Sequence, residues 1–215
     1  MTTLGIRGAF FDFIDDPWKH VGHEQAAARF HADGLLVVED GKITDFGAHH
    51  AIAKRHRALK VTTIKDRLIL PGFIDGHIHF PQTRVLGAFG EQLLPWLQTW
   101  VFPEELKYKD RAYARDGARR FFDNLLASGT TTSQVFTSSS PVSTEELFDE
   151  AGRRNMRTIA GVTGIDRHAP DEFLNTPDEF YRESKRLIAR YHGKGRNLYA
   201  ITPRFAYGAS PELLK

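Results

Sequence analysis

Four times after Pro71 an apolar, β-rich run gives way to a stretch with helical periodicity, and this alternation restricts that part of the chain to a parallel sheet covered by helices. The β-rich runs are 72–80, 130–136, 157–163 and 197–205. Helical spacing of apolar residues marks 93–100 and, more clearly, 111–127. A further helix opens at Ser143-Thr-Glu-Glu146 in the pattern of a capping box, and another runs from Thr176-Pro-Asp-Glu179 to Tyr191. Ser210-Pro-Glu-Leu213 has the form of an N-cap and first turn. An open doubly wound sheet and a (β/α) barrel both satisfy this order. No G-x-G-x-x-G follows a strand and no G-x-x-x-x-G-K-[ST] occurs, which removes the common phosphate-cradling loops.

Ahead of Pro71 the pattern differs. β-like runs cover 5–13, 28–39, 42–46 and 61–70, with Asp40-Gly41 as a hairpin signal between two of them. Residues 18–25 are polar and read as a loop or insertion, and 48–56 can form one short helix. The division predicted is a small β-rich domain over 1–70, expected to be incomplete, and an α/β domain over 71–215.

Composition closes off several classes of function. There is no cysteine among the 215 residues, so disulfides, thiolate metal sites and cysteine nucleophiles are excluded together. Lys and Arg total 29 against 27 Asp and Glu, a net charge of +2 spread along the chain, which argues against nucleic acid and anionic membrane as partners. No run of 18 apolar residues occurs, and Met1-Thr-Thr-Leu-Gly-Ile-Arg7 lacks the form of a signal peptide. The expectation is a cytoplasmic protein with a small-molecule ligand.

His77 and His79, at the end of an apolar strand, are the residues best suited to chemistry. Alternate residues on a strand project from one face, so both imidazoles can reach one ion. Zinc accepts imidazole nitrogen at about 2.0–2.1 Å, and a rigid strand supplies two ligands without ordering a loop. Taken alone, a His-x-His at a strand end also serves as a pair of polar caps or packing groups. Trp96 and Trp100, four apart on a predicted helix, read as core or pocket wall. His20, His23, His31, His49, His50, His56, His168 and His192 are scattered through loops and helix ends and read as solvated. Thr130-Thr-Thr-Ser133 is explained by the start of a strand.

The ten residues Leu70-Pro-Gly-Phe-Ile-Asp-Gly-His-Ile-His79 resemble the opening strand of the amidohydrolase superfamily. Asp33-Gly-Leu-Leu-Val-Val-Glu-Asp-Gly-Lys-Ile43 resembles the small sandwich domain that precedes the barrel in that superfamily. Phe80-Pro-Gln-Thr83, Leu94-Pro-Trp-Leu97, Phe102-Pro-Glu-Glu105 and Ile201-Thr-Pro-Arg-Phe205 are similar to the branch that deaminates guanine, so the resemblance extends over almost the whole chain. It implies a sandwich-like β domain followed by the first four β/α units of a (β/α)8 TIM-type barrel. It also implies one zinc per subunit, held by His77 and His79, with guanine against His79, Phe80, Pro81, Gln82, Arg204 and Phe205. The implied reaction is hydrolytic deamination of guanine to xanthine and ammonia, in a homodimer.

These residue types suit that chemistry. An arginine fork matches the adjacent O6 and N7 acceptors of guanine, an amide can read ring nitrogens, and a phenyl ring offers an apolar face. Without the resemblance, Arg204 reads as a surface charge, Gln82 as a loop amide and Phe205 as a core residue. The superfamily's acid/base glutamate, in a His-x-x-Glu motif on strand five, and its remaining zinc ligands are expected beyond Lys215. No catalytic residue is therefore expected within these 215 residues, which by themselves are expected to be inactive. An eight-stranded barrel takes about 250 residues, more than 71–215 supplies. Residues 197–207 hold no lysine, the bridging ligand of binuclear members, which is why a single zinc is expected. Two alternatives stay open: another mononuclear amidohydrolase acting on a different aminated or halogenated heterocycle, and a catalytically inactive homologue used as a scaffold.

Overall fold

In a computed structural model describing residues 2–90 and 92–215, a first compact unit ends at Pro71. It contains β1 (Thr3–Phe13), β2 (Ala28–Glu39), β3 (Lys42–Ala48), α1 (His49–Arg55) and β4 (Val61–Ile69), with short 3-10 turns at Pro17–His20 and Glu24–Ala27. The sheet order is β3-β2-β1-β4, antiparallel except for the β1–β4 pair. Asp40 and Gly41 join β2 to β3 with φ of 48° and 79°, the two left-handed residues that a tight hairpin requires. Leu35 and Val37 project from one face of β2 and are buried with Ile52 of α1. The expected sandwich is not formed by the described residues of this unit. They make one sheet with one helix on it, because all four strands hydrogen-bond into that sheet and leave none for a second layer, and Phe13, Phe30, Ile43 and Leu68 remain exposed.

The second unit, Gly72–Lys215, is a mixed α/β fold. Its elements are β5 (Phe73–His79), α2 (Leu93–Trp96), α3 (Phe102–Leu106), α4 (Arg111–Ala127), β6 (Thr130–Phe136), α5 (Pro141–Arg153), β7 (Arg157–Gly161), β8 (Thr163–Gly164), α6 (Pro177–Tyr191), β9 (Asn197–Tyr199), β10 (Thr202–Pro203) and α7 (Phe205–Gly208). A π-helical turn, Leu97–Val101, joins α2 to α3. Pro103 has no N–H to continue an i→i−4 ladder, which favours such a break. Strands β5-β6-β7-β9 form a wholly parallel sheet in chain order, and β8 and β10 form a separate parallel pair.

Burial on the sheet explains why these helices hold their places. Ala114, Ala118, Phe121, Phe122 and Leu125 of α4 and Leu147, Phe148 and Ala151 of α5 share one core with Val135 and Ala160 of the strands. Phe122 and Phe148 are fully buried, each stabilising by about 2–3 kcal/mol. Asp110 caps α4 by accepting from the Tyr113 N–H at 2.7 Å. Thr176 and Glu179 form a reciprocal capping box at α6.

Two further sequence expectations need correction in this unit. α5 begins at Pro141, ahead of Ser143, because proline presets the helical φ at the first position and needs no N–H there. Ser143 to Glu146 consequently lie inside the helix and are buried, with Glu145 and Glu146 neutralised by Arg111, Arg115 and Arg186. The strand expected over 197–205 is two short pieces, β9 on β7 and β10 on β8, and Phe205 belongs to α7. Among the described residues no helix is long and apolar enough to cross a membrane.

Candidate active site at the end of the first parallel strand

β5 reaches its C-terminal end at His79, opposite Phe136 of β6. The pairing shifts between Asp75 and Ile78, so Gly76 and His77 together face a single position of β6. Such a bulge re-aims a side chain near a strand end. The His77 and His79 rings lie 5.1 Å apart, and the His79 ring stacks on Phe136 at 5.0 Å, which fixes its plane. Nδ1 of His79 is buried and has no hydrogen-bond partner. Burial, the positive charge of Arg204 and the neighbouring His77 hold His79 down at about 4. At neutral pH this imidazole is uncharged and carries a free lone pair. Among the described residues no third His, Asp or Glu joins the two histidines in a metal-binding group.

Five of the residues singled out in the sequence converge. His77, His79, Gln82, Arg204 and Phe205 line one cavity of about 230 Å³, together with Leu93, Trp96, Leu97 and Phe136. Phe80 and Pro81 do not join them. Phe80 is fully buried in the core, 5.0 Å from Tyr108 and 5.6 Å from Phe121, and Pro81 is buried beside it in sequence. The 3-10 turn Phe80–Val85 lays Phe80 against Phe121 of α4, buries Pro81 and returns Gln82 to the cavity. Trp96 is wall, as its helical spacing allowed, and its indole N–H donates to the Ala88 carbonyl at 3.0 Å.

Arg204 is held from both sides. Its backbone N–H donates to the Gly164 carbonyl at 2.7 Å, and its guanidinium stands over the rings of Phe102 and Phe173 at 5.4 and 5.8 Å. Phe205 follows with a φ of 37°, a left-handed conformation that costs an aromatic residue about 1–3 kcal/mol and is typical of functional sites. The guanidinium is not the surface charge that a strand-end arginine suggests. It is 5% exposed and donates from Nη1 to Oε2 of Glu105 at 2.8 Å. Glu105 is 0% exposed and accepts at Oε1 from Nε2 of Gln82 at 3.0 Å. Burial pushes its carboxyl above the ordinary glutamate range, with Arg204 and the Gln82 amide pulling the other way.

Glu105, which holds Gln82 and Arg204, is the residue that sequence reasoning did not single out. Phe102-Pro-Glu-Glu105 stood out only as a resemblance, and its two acids are alike on paper. In the fold they part: Glu104 accepts from the Tyr113 hydroxyl at 2.6 Å and from Lys107 at 2.8 Å, whereas Glu105 turns to the cavity wall.

Residues 68–215 match the amidohydrolase family. The chain is similar to guanine deaminase of Escherichia coli (strain K12), 45% identical over 98% of this chain and 48% of that protein. It is also similar to a probable guanine deaminase of Deinococcus radiodurans, 43% identical over 85% of this chain and 43% of that protein. Among solved structures, guanine deaminase from Bradyrhizobium japonicum superposes with a TM-score of 0.95 at 73% identity, covering 100% of this chain and 46% of that one. Guanine deaminase from C. acetobutylicum with bound guanine superposes with a TM-score of 0.86 at 26% identity, covering 99% and 49%. The chain thus spans about half the length of the relatives it matches. A family match that includes the histidine strand, the four β/α units and Arg204 has one reading: this chain belongs to the amidohydrolase family.

Proposed function

We propose that this chain supplies half of the active site of a zinc-dependent guanine deaminase, which hydrolyses guanine to xanthine and ammonia. One observation carries the proposal: a single cavity is lined by two histidines together with Arg204 and Gln82, which are bound to one carboxylate. His77 and His79 fit a zinc ion, since two imidazoles stand together with ring centroids 5.1 Å apart and Nδ1 of the buried His79 ring has no hydrogen-bond partner. When bound, zinc supplies the Lewis acidity that makes water a nucleophile at neutral pH. The residues of this chain orient and enclose. Arg204 offers its remaining N–H groups to the acceptor edge of the base, and Phe205 and Phe136 give the ring apolar surfaces. Leu93, Trp96 and Leu97 exclude water from the same space.

The parallel order β5-β6-β7-β9 with intervening helices supports the larger architecture in the same proposal, the first half of an eight-stranded barrel preceded by a β-rich domain over 1–70. The remaining zinc ligands and the acid/base carboxylate come, on this reading, from residues outside the 215. One zinc per subunit, a homodimer and a cytoplasmic location complete it, and metal analysis and sedimentation check the first two. The decisive experiment is steady-state kinetics on guanine with the full-length protein. Arg204→Ala is expected to lower kcat/KM about 10- to 100-fold, the worth of a hydrogen bond from a charged donor. Unchanged kcat/KM removes Arg204 from the site, and a wild-type protein inert toward guanine overturns the substrate.

A further inference from the structure

We infer that Glu105 is a positioning residue that sets the hydrogen-bonding polarity of the cavity wall, so that the wall selects a ring presenting a carbonyl beside an N–H over one presenting an amino group beside a bare ring nitrogen. The inference rests on the purine reading above and adds a reason for selectivity within it.

The two oxygens of Glu105 divide their partners: Oε2 takes Nη1 of Arg204 at 2.8 Å and Oε1 takes Nε2 of Gln82 at 3.0 Å. An ionised carboxylate only accepts hydrogen bonds. Arg204 cannot give up its proton, and the anion neutralises a guanidinium that would otherwise be buried alone. Gln82 must therefore turn its NH2 toward Glu105, which directs its carbonyl oxygen away from the carboxylate, on a side chain that lines the cavity. Arg204, lining the same cavity, has only donors left to offer. Bound to one carboxylate, the two side chains stand next to each other, a donor beside an acceptor.

That pair complements a lactam edge, in which a ring carbonyl accepts and the adjacent N–H donates. A 6-aminopurine presents the reverse, an amino donor beside an unprotonated ring nitrogen, and meets donor with donor and acceptor with acceptor. Free to rotate, the Gln82 amide could present either end, since its oxygen and NH2 are nearly the same size. The carboxylate removes that freedom. Neither substrate-facing residue encodes the preference alone; it arises from a third residue that is itself 0% exposed.

The test is equilibrium binding of hypoxanthine and adenine to the full-length, zinc-loaded protein. These two purines differ in that edge alone, and neither carries the 2-amino group that the proposed reaction removes. The wild-type protein is expected to prefer hypoxanthine. In Glu105→Gln the new amide can donate to Gln82 and release its orientation, so the preference is expected to fall at least about tenfold. Glu105→Asp keeps the charge but is one methylene short of reaching both partners, and it carries the test if the glutamine variant does not fold. Its preference is expected to fall as well, with zinc content unchanged. A hypoxanthine-to-adenine ratio equal to wild type in either folded variant overturns the assignment, as does a wild-type protein with no preference. Because binding is read without turnover, failure of the guanine-deaminase reading appears separately, as the absence of xanthine formation.

Discussion

Replacing Arg204 by alanine strands a carboxyl in the core. Glu105 would keep only Gln82 as a partner, at 3.0 Å, at a position with 0% exposure to water. Breaking one side of a buried ion pair costs about 3–5 kcal/mol, much of it from the charge left behind. The carboxyl has one escape, which is to take up a proton. Burial already lifts it above its ordinary 4.5, and loss of Arg204 removes the main opposing charge and lifts it further. A carboxyl whose folded pKa exceeds its unfolded pKa binds more protons in the folded state. Its penalty is absent below the unfolded value and grows as pH rises toward the folded one, by about 1.4 kcal/mol per unit. Denaturant unfolding of Arg204→Ala, referenced to wild type at each pH, should show the full loss of about 3–5 kcal/mol near pH 8 and a clearly smaller one near pH 5.5. Adding Glu105→Gln should recover much of the loss at the higher pH and remove the extra pH dependence. A loss equal at both pH values and untouched by the second substitution would refute the reasoning, since it would place the cost in packing and not in stranded charge.

In the β-rich unit, Asp45 accepts from Arg55 at 3.0 and 2.9 Å and contacts His56 at 3.0 Å, and the Arg55 hydrogen bonds hold its carboxyl down at about 2. The stabilisation is present above the unfolded value of 3.8 and is lost as pH falls toward about 2. An NMR titration should find that midpoint in wild type and a rise toward 3.8 in Arg55→Ala; no movement would show that Arg55 is not the cause. At the start of α6, Thr176→Ala removes the capping box and should cost about 1 kcal/mol, read as a lowered Tm, with Thr176→Ser restoring most of it. A Tm equal to wild type would mean that the reciprocal bonds contribute nothing.

Where local signals and tertiary packing agreed, the sequence sufficed. α4 and α6 run over the residues expected, since Asp110 and Thr176 cap amphipathic stretches whose apolar faces find the sheet. Asp40-Gly41 turned where it should because few residue pairs accept two left-handed conformations. The error at α5 came from reading Ser143-Thr-Glu-Glu146 as a cap when Pro141 had already begun the helix. His77, His79, Gln82, Arg204 and Phe205 stood out in the sequence as candidates, and they meet in one cavity. Phe80 and Pro81, adjacent in the same motif, face the core, because a 3-10 turn divides neighbours between two environments. Glu105 was not legible, since what distinguishes it from Glu104 is a partner 99 residues away.

That separation bears on how the molecule comes to be made. Gln82 and Glu105 belong to the first β/α unit, while Arg204 follows the strand of the fourth. During synthesis, the helix bearing Glu105 emerges long before the cation that neutralises it, and in the interval that carboxyl is best served by water or a proton. Contacts so distant in sequence form late, after the intervening chain has surrendered its loop entropy. The wall that would read a base is thus among the last parts of this chain to close, and docking of the fourth unit converts a solvated acid into a fixed piece of the recognition surface.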